Sequence, residues 1–135
     1  MLRLTIGARQ FFARLELEQA PQTCATIQSM LPLRGRILQA RWSGEALWVP
    51  LGDRRMDLAR ENSLSRANNG QLLFYPGDVS EMEILLPYGL ADFACKYGEL
   101  AGNHFATIVD AGAEWRDFGE HVWWHGAQDL TIDEV

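Results

Sequence analysis

The chain opens on two short stretches in which apolar and polar residues alternate. Leu2–Ile6 and Phe11–Leu17 read as strands, the second setting Ala13, Leu15 and Leu17 against Arg14, Glu16 and Glu18. Gly7-Ala8-Arg9-Gln10 between them reads as a hairpin loop. The period then changes. From Pro21 the apolar residues recur at Cys24, Ile27 and Met30 or Leu31, the spacing of one helical face. Pro21 suits a first helical turn, where its missing N–H has no intrahelical partner to lose, and Pro32 stops the helix. Leu33–Trp42 and Ala46–Val49 predict a second hairpin around Ser43-Gly44. Residues 52–70 are polar and poor in strand signals, and a loop of that length in a compact domain tends to be functional or mobile.

Strand patterning resumes at Gln71–Tyr75, which Pro76-Gly77-Asp78 closes as a turn. Glu81–Leu86 follows, with Met82, Ile84 and Leu86 on one face and Glu83 and Leu85 on the other. After Tyr88-Gly89 comes a glycine-punctuated stretch, then a strand over Phe105–Val109. Trp115, Phe118 and Val122 mark a helix over Glu114–Trp124, with Gly126 as its terminating glycine. Leu130–Ile132 forms a last strand. About eight strands and two helices in 135 residues predict one mainly β domain spanning 1–135. A closed antiparallel barrel with flanking helices accommodates that tally without exposed edges.

Composition narrows the classes. With 47% hydrophobic and 22% charged residues, 12 Gly and 5 Pro, the chain is neither disordered nor collagen-like nor a disulfide scaffold. A net charge of −6 argues against nucleic acid and anionic membrane as partners. Lys96 is the sole lysine beside eleven arginines. Cys24 and Cys95 lie far apart without a metal or redox spacing, so reduced, buried thiols are expected. No leader-like segment or membrane-length apolar run appears, which predicts a cytoplasmic protein.

Polar residues set among apolar strands and glycine turns cost free energy unless they are paired or used. Glu61, Asn62, Tyr75, Glu83, Tyr88, Asn103 and His104 are such residues and form the candidate ligand site. A carboxylate from Glu83 near His104 would fix the imidazole tautomer and raise its basicity, while Asn and Tyr side chains grip a ligand. Arg54 and Arg55, with Arg60 and Arg66 on the same loop, would steer an anion inward. His121 and His125 have the i, i+4 spacing of a two-histidine metal site, but no third ligand is marked, and favourable contact with the helix dipole accounts for them; no metal or cofactor is expected. Cys95 and His104, with Glu99 or Asp92, have no spacing that defines a nucleophile–base pair. Trp123 and Trp124, adjacent on a helix, cannot share one face, so one of them points outward to a partner.

Several strings resemble a known family. Ala20-Pro21-Gln22-Thr23 and Leu31-Pro32-Leu33 around the first helix resemble the helix entry of cyclophilins and their bacterial relatives. Asn103-His104-Phe105-Ala106-Thr107-Ile108 is similar to the closing segment of the same barrel. Glu61-Asn62-Ser63, Gly70 to Gly77, Ser80 to Ile84, Pro87-Tyr88-Gly89 and Leu100 to Ala106 together resemble the bacterial family DUF3830. That resemblance implies a cyclophilin-like β-barrel. It does not carry prolyl isomerase activity, because neither an Arg-x-Ile-Pro-x-Phe nor a Gly-Ser-Gln-Phe-Phe groove segment is present, and only His104 matches a groove position.

The leading expectation is a small-molecule binding or accessory protein in bacterial amide or carboxylate metabolism, taking an amide or carboxylate ligand. The alternatives are an enzyme using His104 and Glu83 as acid and base, a residual prolyl isomerase, and a protein interaction module. A homo-oligomer is compatible with each of these.

Overall fold

A computed structural model describes residues 1–135. Twelve strands and two helices follow one another along the chain: β1 (Leu2–Ile6), β2 (Arg9–Leu15), α1 (Pro21–Ser29), β3 (Leu33–Gln39), β4 (Gly44–Pro50), β5 (Ser63–Leu64) and β6 (Arg66–Ala67). Then come β7 (Gln71–Tyr75), β8 (Glu83–Asp92), β9 (Ala94–Cys95), β10 (Gly98–Glu99), β11 (Gly102–Ile108), α2 (Gly112–His125) and β12 (Gln128–Glu134). Eight of the strands run β2-β1-β12-β3-β4-β8-β7-β11, and β11 pairs back onto β2 to close a barrel. Every pairing around the ring is antiparallel.

Inward side chains fill the barrel, among them Leu4, Ile37, Leu47, Leu72, Phe74, Ile84 and Phe105, all fully buried. The helices close its ends. α1 buries Thr23, Cys24 and Ile27 beside the start of β11. At the other end α2 turns Trp115, Phe118, Gly119 and Val122 inward, and Trp115 packs edge-on against Phe11 at 4.9 Å. Neither helix is long and apolar enough to cross a membrane.

A second, smaller core lies outside the barrel wall. Leu73, Tyr75 and Leu85 point outward from β7 and β8 and are covered by Phe93 and Leu100, which flank the β9–β10 hairpin, and by Ala67 of β6. β8 is therefore buried on both faces over most of its length, as its continuous apolar run Ile84-Leu85-Leu86-Pro87 requires. Glu83 is buried for this reason.

Several boundaries differ from expectation. β2 starts at Arg9, paired with Ile6, so the hairpin turn is only Gly7-Ala8, with Gly7 at φ +60°. It ends at Leu15, which leaves Leu17 exposed. β8 runs on through Pro87, Tyr88 and Gly89. The β7–β8 pairing stops at Leu73 and Leu85, and beyond it the Pro87 carbonyl accepts from Gly70 N at 3.0 Å and Trp115 Nε1 at 2.8 Å. The missing Pro87 N–H faces the same side and so costs no ladder bond. Residues 52–62 hold no regular structure but are tied down, with Met56 N–H donating to Pro76 O at 2.9 Å. Gly77, at φ +87°, lies under this segment, where a Cβ would meet Arg54 O at 2.1 Å. The long loop is thus a strap across a turn.

Candidate functional site

The seven polar residues occupy four places. Beneath α1, Glu61 and Asn103 form a closed network with Thr23. Asn103 Oδ1 accepts from Glu61 N at 3.2 Å, and its Nδ2 donates to Thr23 Oγ1 at 3.0 Å and Ala59 O at 3.1 Å. Thr23 Oγ1 in turn donates to Glu61 Oε1 at 2.8 Å, and Thr23 N donates to the same oxygen. Asn62, in the left-handed region at φ +48°, donates from Nδ2 to His104 O at 2.9 Å. These side chains moor the strap to the barrel.

His104 points outward from β11. A bulge between His104 and Ala106 places Phe105 and Ala106 both in the barrel core, so that His104 and Thr107 share the outer face. His104 Nε2 lies 2.8 Å from Thr107 Oγ1, which donates to Glu16 Oε1 at 2.8 Å. With the hydroxyl proton committed to Glu16, Nε2 is the protonated nitrogen. Burial lowers the His104 pKa and outweighs the opposing pull of Glu16. Burial also works to raise the Glu16 carboxyl, but hydrogen bonds from Thr107 and Arg14 hold it below its ordinary value. The carboxylate linked to His104 is therefore Glu16, not Glu83. The bulge that creates this link has no period-2 signature in the sequence.

Tyr88 lies inside the barrel, where its hydroxyl donates to Gln39 Oε1 at 2.8 Å and its ring rests on Gly119 of α2. It joins helix to barrel and lies away from Glu83. Tyr75, opposite Glu83 in register, packs edge-on against Phe93 at 5.8 Å. The two arginines turn elsewhere: Arg54 Nε donates to Leu51 O at 3.0 Å, and Arg55 pairs with Asp78 at 3.5 Å.

Glu83, beside Tyr75, lacks any such hydrogen-bond partner. Its residue surface is 6% exposed, and no hydrogen bond from the protein supports its charged form. Burial pushes the carboxyl up to about 8, and the charge of Glu81 acts in the same direction. At neutral pH it is therefore mainly a carboxylic acid, with an O–H to donate and a carbonyl oxygen to accept. It opens onto a cleft of about 370 Å³. Leu38, Trp48 and Glu83 belong to the barrel wall of this cleft; Cys95 and Tyr97 come from the hairpin, and Arg41, Trp42 and Lys96 are exposed at its margin. His104 does not line it.

A wider hollow of about 720 Å³ beneath the strap is bordered by Arg55, Arg60, Tyr75 and Asn103 together with Asp57, Asp78 and Glu99. Its buried amide is saturated and Arg55 is already paired, so it offers mixed surface charge and no unmet buried group. The smaller cleft has the stronger chemistry. The sequence does not mark this cleft: Trp48 lies on β4 and Arg41 in the β3–β4 turn, and only the hairpin, whose strands are two residues long and give no periodic signal, brings Tyr97 beside them.

Other expectations resolve simply. Cys24 is buried, and burial raises its thiol to about 11, whereas Cys95 is only half-buried and lies at the cleft. His121 and His125 stack at 4.1 Å with no third side chain of metal-binding type beside them. Trp123 and Trp124 are both exposed, at 59% and 78%, because the inward face of α2 is filled by Trp115, Phe118 and Val122.

Two solved structures share the fold. That described as McbB in complex with tryptophan matches at a TM-score of 0.75 and 14% identity, over 99% of this chain and 44% of that one. The chain thus spans less than half the length of McbB. The hypothetical protein AF2241 from Archaeoglobus fulgidus matches at a TM-score of 0.64 and 18% identity, over 99% of this chain and 93% of that one. Both fit a cyclophilin-like barrel. No curated protein matches the sequence. The model of DUF3830, described as a protein of unknown function, matches residues 2–133, and the chain belongs to that family.

Proposed function

We propose that this protein binds a small molecule bearing an amide or carboxylate group in the cleft around Glu83, as a binding or accessory component of amide or carboxylate metabolism. The observation that carries the reading is the Glu83 carboxyl, buried, without a protein partner and open to a cleft of ligand size. Such a group costs stability in the free protein, and a ligand oxygen that accepts its O–H removes that cost. Trp48, Trp42 and Tyr97 add apolar contact at the same opening. Acid–base catalysis by Glu83 with His104 has no geometric support, since the two groups do not face one cleft.

A thermal-shift panel of amides and carboxylates tests this reading. McbB, which shares the fold, is described in complex with tryptophan, so amino acids belong in the panel. A ligand at about one hundred times its dissociation constant stabilises the native state by ~2.7 kcal/mol, a readable rise in Tm. The rise should vanish in Trp48→Ala. Equal shifts in that variant, or no shift from any compound on folded protein, would overturn the assignment.

A further inference from the structure

We propose, resting on the cleft being a ligand site, that it selects small aromatic carboxylates: the ring lies against Trp48 and Tyr97, and the carboxylate is shared by Glu83, Arg41 and Lys96. Three kinds of group meet at this one opening. The first is the aromatic set. Trp48 is half-buried in the wall, while Trp42 and Tyr97 are 54% and 69% exposed at the margin. Flat rings left open around a space of about 370 Å³ suit one planar ring system and little more.

The second is the pair of cations. None of the molecule's ion pairs engages Arg41 or Lys96. Lys96 instead lies 5.1 Å from the centre of the Tyr97 ring, and that contact leaves its ammonium free for an anion. The third is Glu83. The charged and titratable groups around it are Glu81 on its own segment, Tyr75 opposite it, Arg41 from the β3–β4 turn, and Cys95, Lys96 and Tyr97 from the hairpin. With Glu83 protonated, two cations face one anion, Glu81, and the cleft is net positive. A carboxylate then accepts the Glu83 O–H and meets the cations in one pose. An amide accepts the same O–H but gains nothing from Arg41 and Lys96. An amine offers no acceptor and is repelled by both.

Ionisation of Glu83 removes the preference, because the cleft then holds two cations and two anions and its deepest charge is negative. Affinity for a carboxylate therefore falls as pH rises through the Glu83 transition.

Calorimetric titration with indole-3-acetate, indole-3-acetamide and tryptamine separates the possibilities. Near pH 6 the acetate should bind about tenfold or more tighter than the amide, and tryptamine weakest. The Arg41→Ala/Lys96→Ala double variant should bring acetate and amide to within about threefold. Near pH 9 the acetate should lose about tenfold in affinity, and that loss should be absent in Glu83→Gln. If the amide or the amine binds as tightly as the acetate, and Trp48→Ala removes that binding, anion selection fails while the cleft remains a ligand site. If none of the three binds at millimolar concentration, or Trp48→Ala leaves binding unchanged, both this inference and the binding site fail.

Discussion

Glu83→Gln should stabilise the protein at alkaline pH and leave it nearly unchanged at acid pH. In the native state the Glu83 carboxyl is pushed up to about 8 from an ordinary value of 4.5. Between those values the unfolded chain releases the proton and the folded chain keeps it. Fewer protons are bound in the unfolded state, so stability falls as pH rises through this window and levels off above about 8. At ~1.4 kcal/mol per pH unit, the full window corresponds to about 5 kcal/mol. Glutamine keeps the shape and removes the titration, at the smaller cost of a buried neutral amide. Urea unfolding near pH 9 should show the variant more stable by about 2–4 kcal/mol, and near pH 4 by little or nothing. Parallel stability curves for the two proteins across this range would mean that Glu83 is not held uncharged by the fold.

Gly119→Ala should destabilise the protein by about 3 kcal/mol or more, although alanine is normally favoured over glycine within a helix by about 1 kcal/mol. A Cβ at Gly119 would lie 2.1 Å from Cγ of Tyr88. The ring cannot easily yield, because Tyr88 is buried in the barrel and its hydroxyl is bonded to Gln39 at 2.8 Å. Either α2 lifts from the barrel end, exposing Trp115 and Phe118, or the ring leaves its site. Chemical denaturation measures the loss, and combining Gly119→Ala with Tyr88→Ala should recover part of it relative to additivity. A neutral or stabilising Gly119→Ala would show that α2 does not seat on Tyr88.

Alternation and turn residues made the barrel legible in the sequence. β1 and β7 have the predicted boundaries, and Met82, Ile84 and Leu86 face the core as their spacing implied. Helical periodicity likewise located α1 and α2, including Gly126 at the end of α2 with φ +85°. The outer layer was not legible. β5, β6, β9 and β10 are two residues each, too short to show a period, yet they and their flanking residues bury Leu73, Tyr75 and Leu85. Without them Glu83 would stand on an exposed face. For the candidate site, polarity amid apolar residues does not tell a group bonded within the protein from one left without a partner. Asn103 and Glu61 are both matched by Thr23, Tyr88 is matched by Gln39, and His104 is matched by Thr107, which is bonded to Glu16. Those pairings are tertiary, with partners up to 91 residues apart in the chain.

The most direct measurement is a carbon-13 NMR titration of the Glu83 side-chain carboxyl in the folded protein, assigned by comparison with Glu83→Gln. A midpoint near 8 is expected, shifting upward when a bound carboxylate accepts the proton-bearing oxygen. A midpoint below about 5, in the ordinary carboxylate range, would leave the cleft without its protonated donor and would contradict the proposed site.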